Sequence, residues 1–208
     1  MSSVSDSEKQ ELIQDALQEI LNISMGQAAN SLAKLIDTRV VISIPKLHWV
    51  KYHDNKLEPS AIGTNEQGIL ARQSFLGGVA GEIIVCFKED SRHHLLAESL
   101  GYSEDLSREE RQELTLEITN ILCGACLRGL AEQLEIDLSF GAPSMLSQNS
   151  TVANFLKKQD LVWSDALFME IRFTVESISM NTGLLICMSS GNTDKLFGKI
   201  EELFGDDL

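Results

Sequence analysis

Basic residues are scarce in this sequence. Its 17 Lys and Arg residues stand against 31 Asp and Glu residues, so the formal net charge is −14. Nucleic acids and anionic membrane surfaces are themselves negative and would repel so acidic a chain. The composition therefore favours a protein as the binding partner.

Cysteine is also scarce, with four residues in a chain of 208. They are too few and too scattered to form the disulfide scaffold of a small secreted protein. The polar, partly acidic N-terminus lacks the basic start and the apolar stretch of a secretory signal. We therefore expect reduced thiols. The four cysteines are Cys86, Cys123, Cys126 and Cys187.

Long apolar runs are missing as well. The most apolar long window covers residues 68–87, and Arg72, Gln73 and Glu82 interrupt it. Polar side chains inside a bilayer are costly, so this window would not span a membrane readily. We expect a cytoplasmic protein.

The chain does contain an internal repeat. A shift of 98 residues aligns residues 15–45 with 113–143, and eight of the 31 positions are identical where chance would give about two. The chain is therefore interpreted as two copies of one α/β unit, residues 1–104 and 105–208, which form one compact body. The identical pairs are Glu19/Glu117, Ile20/Ile118, Asn22/Asn120, Ile23/Ile121, Gly26/Gly124, Leu32/Leu130, Ala33/Ala131 and Pro45/Pro143.

Hydrophobic periodicity predicts the same order of elements in each copy. Strands that follow one another through short links favour antiparallel pairing. We therefore predict an α+β fold, a single domain in which two pseudo-symmetric α/β repeats pack two long helices on a largely antiparallel sheet. The predicted elements are helix 7–37, strands 39–50, 68–75 and 80–87, loop 52–66 and helix 91–100, then helix 108–135, strands 136–142, 165–176 and 182–189, and helix 193–204.

The repeated polar residues share one face of the first predicted helix. Asp15, Glu19, Asn22 and Gly26 form a narrow stripe at about 100° per residue. Gly26 costs about 1 kcal/mol relative to alanine in a helix, which suggests that a partner approaches closely there. The opposite face is apolar and is predicted to meet the sheet. Its residues are Leu17, Ile20, Leu21, Ala28, Leu32 and Leu35.

The second helix repeats the stripe with Glu113, Glu117, Asn120 and Gly124. Small residues, Ala29 and Ala33 in the first copy and Ala131 in the second, extend each stripe as a shallow track, although Leu127 is bulkier than its counterpart Ala29. Exposed Glu and Asn residues are often merely solvated. Helix capping, or contact between the two repeats across their pseudo-two-fold axis, would be a structural alternative to a functional role. Asn is a mediocre helix former, so its repetition beside the same Glu favours a functional role.

The complete pattern resembles a known signature. Asp15-x3-Glu19-x2-Asn22-x22-Pro45 and Glu113-x3-Glu117-x2-Asn120-x22-Pro143 are similar to the Asp/Ser-x3-Glu-x2-Asn-x22-Pro signature of the CheC/CheX/FliY chemotaxis phosphatases. Two copies in one chain point to the CheC branch. Glu113 departs from the pattern, since the family has Asp or Ser at that position.

This resemblance implies hydrolysis of the aspartyl phosphate on a phosphorylated CheY-type response regulator. Asn22 and Asn120 would each hold the attacking water, while Glu19 and Glu117 would dock against a cation of the regulator. No cofactor of the chain's own is implied, since the regulator supplies the divalent metal, Mg²⁺. The residues expected to dock the partner are Asp15, Gly26, Glu113 and Gly124.

Two other functions remain as alternatives. The chain could be a non-catalytic CheC-like adaptor that binds a response regulator or a CheD-type receptor deamidase. A flagellar switch component of the FliY type is disfavoured, because no C-terminal extension follows in this sequence.

Other possible chemistry is weaker. Cys123-Gly-Ala-Cys126 has redox-motif spacing but lies inside a predicted helix, which favours core packing. The histidines show no metal-ligand spacing with the cysteines. They are His48, His53, His93 and His94.

Overall fold

A computed structural model describes most of the chain. The described residues are 6–35, 37–44, 46–51, 67–88, 101–102, 105–151, 154, 165–175 and 178–204. The predicted loop 52–66, the predicted helix 91–100 and Pro45 lie outside them.

Three helices lie within these residues, and they confirm the corresponding sequence predictions to within three residues at each end. Each long helix belongs to one copy of the repeat, and the third closes the second copy. They are α1 (Asp6–Leu35), α2 (Arg108–Leu134) and α3 (Ser190–Phe204).

Local signals define both ends of α2. The Ser107 side chain accepts a hydrogen bond from the Glu110 backbone N–H, and the Glu110 carboxylate accepts one from the Ser107 backbone N–H. This reciprocal capping box satisfies two donors that the first turn would otherwise leave unpaired. At the other end, Glu135 takes a left-handed conformation with φ 52° and donates its N–H to the Ala131 carbonyl.

The sheet contains eight strands within the described part of the chain. Every pairing is antiparallel, as predicted. The strands are β1 (Val40–Ile42), β2 (Lys46–Lys51), β3 (Gly68–Gly77), β4 (Gly81–Lys88), β5 (Leu138–Phe140), β6 (Ser144–Ser150), β7 (Asp165–Val175) and β8 (Ile178–Met188).

The strand predicted over 39–50 is wrong as a continuous element, since it is divided into β1 and β2. Ile42 pairs with Phe173 of β7, and the next pair is Lys46 with Glu170. Three positions of the chain therefore separate β1 from β2, whereas only two separate their partners in β7. Such an extra residue interrupts the ladder in the manner of a bulge.

The prediction also missed β6, which follows the predicted strand 136–142. Its sequence, Ser-Met-Leu-Ser-Gln-Asn-Ser, contains no β-branched or aromatic residue, so it carries little strand propensity. Pairing with β3, a contact distant in sequence, makes it a strand.

The two copies exchange strands in this sheet. The order is β1-β7-β8-β4-β3-β5, with β2 also paired to β7 and β6 to β3. The first strands of each copy thus pair with the hairpin of the other copy. The register shows the pseudo-two-fold relation. Ile42 pairs with Phe173, and Phe75 pairs with Phe140. Ile42 and Phe140 are 98 positions apart, as are Phe75 and Phe173, so the repeat relates one pair to the other.

The helices and one face of the sheet enclose the core. The predicted apolar face of α1 is confirmed where the structure describes it, since its residues are no more than 1% exposed. These residues are Leu17, Ile20, Leu21, Ala28 and Leu32. The side chain of Leu35 lies outside the described part.

The two long helices approach each other closely at Gly129 of α2. A Cβ added there would lie 2.6 Å from the Cα of Ser24 in α1, a separation that real Cβ atoms essentially never show. Helix α2 is long and apolar enough to cross a membrane, but 67% of its apolar window is buried inside this fold. Its hydrophobicity is thus that of a core helix.

These contacts predict opposite effects for two glycines inside helices. Gly129→Ala should lower the free energy of unfolding by about 1–3 kcal/mol, because the new methyl group would meet the Cα of Ser24 as well as its short side chain at less than 3 Å. Gly26→Ala should raise it by about 0.5–1 kcal/mol, because no described residue outside the local helix backbone lies within 4 Å of the new methyl group. Urea denaturation of the two variants measures both changes, and equal effects would contradict the packing described.

Candidate functional site

The first candidate site, site one, is the stripe on α1 formed by Asp15, Glu19, Asn22 and Gly26. Asp15, Glu19 and Gly26 are exposed, and Asn22 is half-buried. Beyond its neighbours in the chain and the helix backbone, no atom of the described residues lies within 4 Å of a Cβ built on Gly26. The sheet-facing side of α1 is buried, so this stripe is the side that remains open to a partner.

The carboxamide of Asn22 has a neighbour within its own helix. Gln18 Nε2 donates to Asn22 Oδ1 at 3.3 Å, one turn away. This contact is long, and its donor is a flexible side chain on the same element. Within the described residues, the side chain that donates to Asn22 therefore belongs to α1 itself.

The second candidate site, site two, is formed by Glu113, Glu117, Asn120 and Gly124 of α2. Glu113 and Asn120 are exposed, and Glu117 is half-buried. The Tyr102 hydroxyl donates a hydrogen bond to Glu117 Oε2 at 3.1 Å. The Glu117 carboxylate is thus held from outside its own helix.

Tyr102 keeps its proton in this environment. Burial raises the pKa of Tyr102 above its ordinary value of 10.0, and the hydrogen bond and negative charge of Glu117 raise it further. The charges of Glu113 and Glu110 act in the same direction. The phenol is therefore a neutral donor to Glu117 at physiological pH.

Asn120 is held by a residue of the sheet. Gln73 of β3 is fully buried, and its Nε2 donates to the Gly141 carbonyl at 2.7 Å and to Asn120 Oδ1 at 3.0 Å. A backbone carbonyl can only accept, so the amide end of Gln73 that lies between the two partners must be the nitrogen. Asn120 therefore turns its oxygen towards β3 and leaves its NH₂ group on the outer side.

The other end of Gln73 has no such partner. Its Oε1 is buried and makes no hydrogen bond within the described part of the chain. An unpaired buried acceptor costs about 1–3 kcal/mol. Placing Gln73 at this core-facing position thus destabilises the fold. Its hydrogen bonds are those that Nε2 donates to Gly141 and Asn120.

The small-residue track predicted for α2 is interrupted at Gly124, which corrects the sequence interpretation. Gly124 is buried, and a Cβ on it would meet Arg128 Nη1 at 3.2 Å and Phe140 at 3.6 Å. Leu127 is fully buried rather than part of the track. The physical reason is that Arg128, a long side chain one turn further along α2, lies over Gly124, whereas its counterpart Gly26 in α1 is open.

Sequence reasoning missed Tyr102, Gln73 and Arg128. One signal was present for Gln73, since it lies between Ala71 and Phe75 on the inward-facing side of an apolar strand. An uncharged amide at a core-facing strand position is unusual and usually has specific hydrogen-bond partners. No comparable pattern marked Tyr102, whose contact depends on a turn before α2.

The cysteines do not form a reactive site. All four are buried and outside any disulfide, and Cys126 packs in the core as predicted. Burial raises the pKa of Cys126 to about 12 and also raises the pKa of Cys123 and Cys187, so these thiols remain protonated.

Within the described residues, no group of three or more His, Cys, Asp or Glu could hold a metal ion. The side chains of His48, His53, His93 and His94 lie outside that part.

The Glu and Asn residues of both sites lie on helix surfaces. A cavity of about 190 Å³ exists near the start of α2, but no residue of site one or site two lines it. Small-molecule sites are usually concave and enclose most of the ligand. Two exposed helix stripes suit a macromolecular partner better. The cavity is lined by Ile69, Arg108, Arg111, Gln112, Thr115, Met145 and Gln148.

Known proteins resemble the chain in sequence over α1 and in fold over nearly its whole length. The model of the CheC-like family matches residues 12–48, which include Glu19 and Asn22. Thermotoga maritima FliY is 18% identical, with a TM-score of 0.67 and coverage of 97% of this chain and 99% of that one. No protein of curated function matches.

Two further structures share the fold. A chemotaxis protein CheX from Desulfovibrio desulfuricans is 14% identical, with a TM-score of 0.53 over 81% of this chain and 99% of that one. The FliM middle domain from H. pylori is 11% identical, with a TM-score of 0.59 over 94% and 99%. At these identities the likeness shows the fold alone. The match to the CheC-like family model is thus a resemblance over α1 and the strands that follow it, and the solved structures add a shared fold.

The Tyr102–Glu117 hydrogen bond predicts how the tyrosines titrate. The raised pKa means that this interaction stabilises the fold below pH 10.0, the ordinary pKa, and that the stabilisation is lost as the pH rises through the folded-state pKa. Tyr102→Phe should therefore remove a phenolate transition that lies above pH 10.0. Ultraviolet absorbance titration of both proteins measures it. Loss of a transition at or below that pH would contradict the contact.

Proposed function

We propose that this chain belongs to the CheC/CheX/FliY family and is a cytoplasmic phosphatase of chemotaxis signalling that hydrolyses the aspartyl phosphate of a phosphorylated CheY-type response regulator. The observation that carries the proposal is the duplicated Glu/Asn pair on the open face of a long helix. In α2 the carboxylate of Glu117 and the carboxamide of Asn120 are each held by a separate side chain. Such orientation of exposed polar groups is unnecessary for solubility.

The chemistry needs little from this chain beyond a positioned water. A phosphorylated regulator carries its own divalent metal, Mg²⁺, and a lysine, which neutralise the phosphoryl oxygens. A water oxygen then attacks phosphorus, the bond from phosphorus to the aspartate oxygen breaks, and that electron pair returns to the aspartate carboxylate. The water's proton leaves to solvent or to the phosphate. An Asn carboxamide can accept from the water and donate to a phosphoryl oxygen.

The Glu residues suit a docking role. Glu19 is exposed and Glu117 is half-buried, so each carboxylate can meet a cation of the regulator, such as its active-site lysine. Ile23, beside Asn22, is 39% exposed and offers apolar contact at the same place. Fixing the helix against the regulator would hold Asn22 or Asn120 in line with the bond to be broken.

A non-catalytic adaptor is the second candidate, and one finding favours it. The same fold occurs in a FliM middle domain, so the fold by itself does not imply hydrolysis. An adaptor would bind a response regulator or a CheD-type deamidase through the same surfaces. The intact Glu/Asn pairs in both copies favour the phosphatase.

Replacing the two Asn residues should separate these candidates. Asn22→Ala and Asn120→Ala should each reduce dephosphorylation at their own site by about 10- to 1000-fold, by analogy with removing one preorganised polar group from an active site. The double variant should lose the activity and keep its fold. Phosphate release from a phosphorylated regulator measures the rate.

Asn149→Ala is a matched control, since this exposed Asn lies on β6 outside both stripes. It should leave the rate unchanged. A double variant that dephosphorylates the regulator as fast as the wild-type chain would contradict the proposal. A wild-type chain that binds the regulator without accelerating phosphate loss would favour the adaptor.

The origin of the metal provides a separate prediction. Because the regulator supplies Mg²⁺, the isolated chain should contain no stoichiometric metal and should show negligible activity on small phosphate esters. Elemental analysis and a phosphate-ester assay measure these two properties. Stoichiometric zinc or iron in the purified protein would point to chemistry outside the Glu/Asn pairs.

A further inference from the structure

The two candidate sites hold their Asn residues differently. Asn120 accepts a hydrogen bond from Gln73, which belongs to another element and is fully buried. Asn22 accepts from Gln18 of its own helix at the longer distance of 3.3 Å. The sheet register makes Ile171 the counterpart of Gln73, and an Ile side chain has no hydrogen-bonding group. Ile171 therefore cannot donate to Asn22 the hydrogen bond that Gln73 donates to Asn120.

Gln73 is itself rigidly placed. Both hydrogens of its Nε2 are used, one on the Gly141 carbonyl and one on Asn120 Oδ1. The Gly141 N–H in turn donates to the Ser74 carbonyl of β3 at 3.0 Å, so the carbonyl that orients Gln73 is fixed to the same strand. A side chain buried on every side and bonded twice loses little further freedom when a partner docks.

We propose that Gln73 is a positioning residue for hydrolysis at site two, an inference that rests on the proposed phosphatase function. Its Nε2 holds the Asn120 carboxamide with Oδ1 towards β3 and Nδ2 towards the docking surface. One lone pair of Oδ1 remains to accept from the attacking water, and Nδ2 donates to a phosphoryl oxygen. Because Gln73 has no exposed surface, it acts through Asn120 and not on the regulator.

The test uses Gln73→Met, which keeps an unbranched side chain of similar size and removes the donor. In an Asn22→Ala background, where only site two reports, kcat for regulator dephosphorylation should fall about 10-fold with little change in the half-saturating regulator concentration. Ser74→Ala is the matched control, since Ser74 is the next residue on β3 and its side chain is exposed. It should leave both values unchanged.

A double-mutant comparison separates positioning from general damage. In an Asn120→Ala background the loss caused by Gln73→Met should disappear, because the group that Gln73 holds is gone. An equal loss in both backgrounds would make Gln73 a structural residue and overturn the proposal. An unchanged kcat in the Asn22→Ala background, with the fold intact by thermal melting, would also overturn it.

A second measurement does not depend on activity. NMR relaxation of side-chain amide groups should show Asn120 Nδ2 as ordered in the wild-type chain and mobile in Gln73→Met, while Asn22 Nδ2 is unaffected. If Asn120 is equally mobile in both proteins, the proposed positioning fails even where the chain proves to be a phosphatase. If the order is lost as expected but the wild-type chain dephosphorylates no regulator, the phosphatase proposal fails instead.

Discussion

Each long helix must bury its apolar face against the sheet, and this constraint determines which side chains are left for a partner. In α1 the buried face includes Leu17 and Leu21, which leaves Glu19 and Gly26 exposed on the other side. The exchange of first strands between the copies completes the sheet against which both helices pack. The two Glu/Asn stripes thus belong to one folded body, and neither copy could complete its part of the sheet without strands from the other.

The sequence could predict the features of the fold that depend on local periodicity. The helix period placed Asp15, Glu19 and Asn22 on one stripe, and antiparallel pairing followed from short links between strands. The polar strand β6 was missed, because its existence depends on pairing with β3. Contacts across long sequence separations, such as Gln73 with Asn120, follow from topology and packing and leave no periodic signal in the chain.

The repeat conceals an asymmetry that becomes apparent in the folded chain. The stripes match residue for residue in Glu and Asn, yet Gly26 is open while Gly124 lies beneath Arg128. Glu117 and Asn120 are held by Tyr102 and Gln73, which lie in other parts of the chain. Duplicated sites that diverge in their supporting contacts can keep the same chemistry and differ in how firmly the reacting groups are oriented.

The central claim is that the chain directs water onto the phosphorus atom of a regulator's aspartyl phosphate. The most direct test is dephosphorylation of a phosphorylated CheY-type regulator by the wild-type chain in oxygen-18 water, followed by mass spectrometry of the phosphate and of both proteins. The account predicts faster phosphate release, one oxygen-18 atom in each released phosphate and no phosphoryl group on the chain. Release at the regulator's own rate, or transfer of the phosphoryl group to the chain, would contradict it.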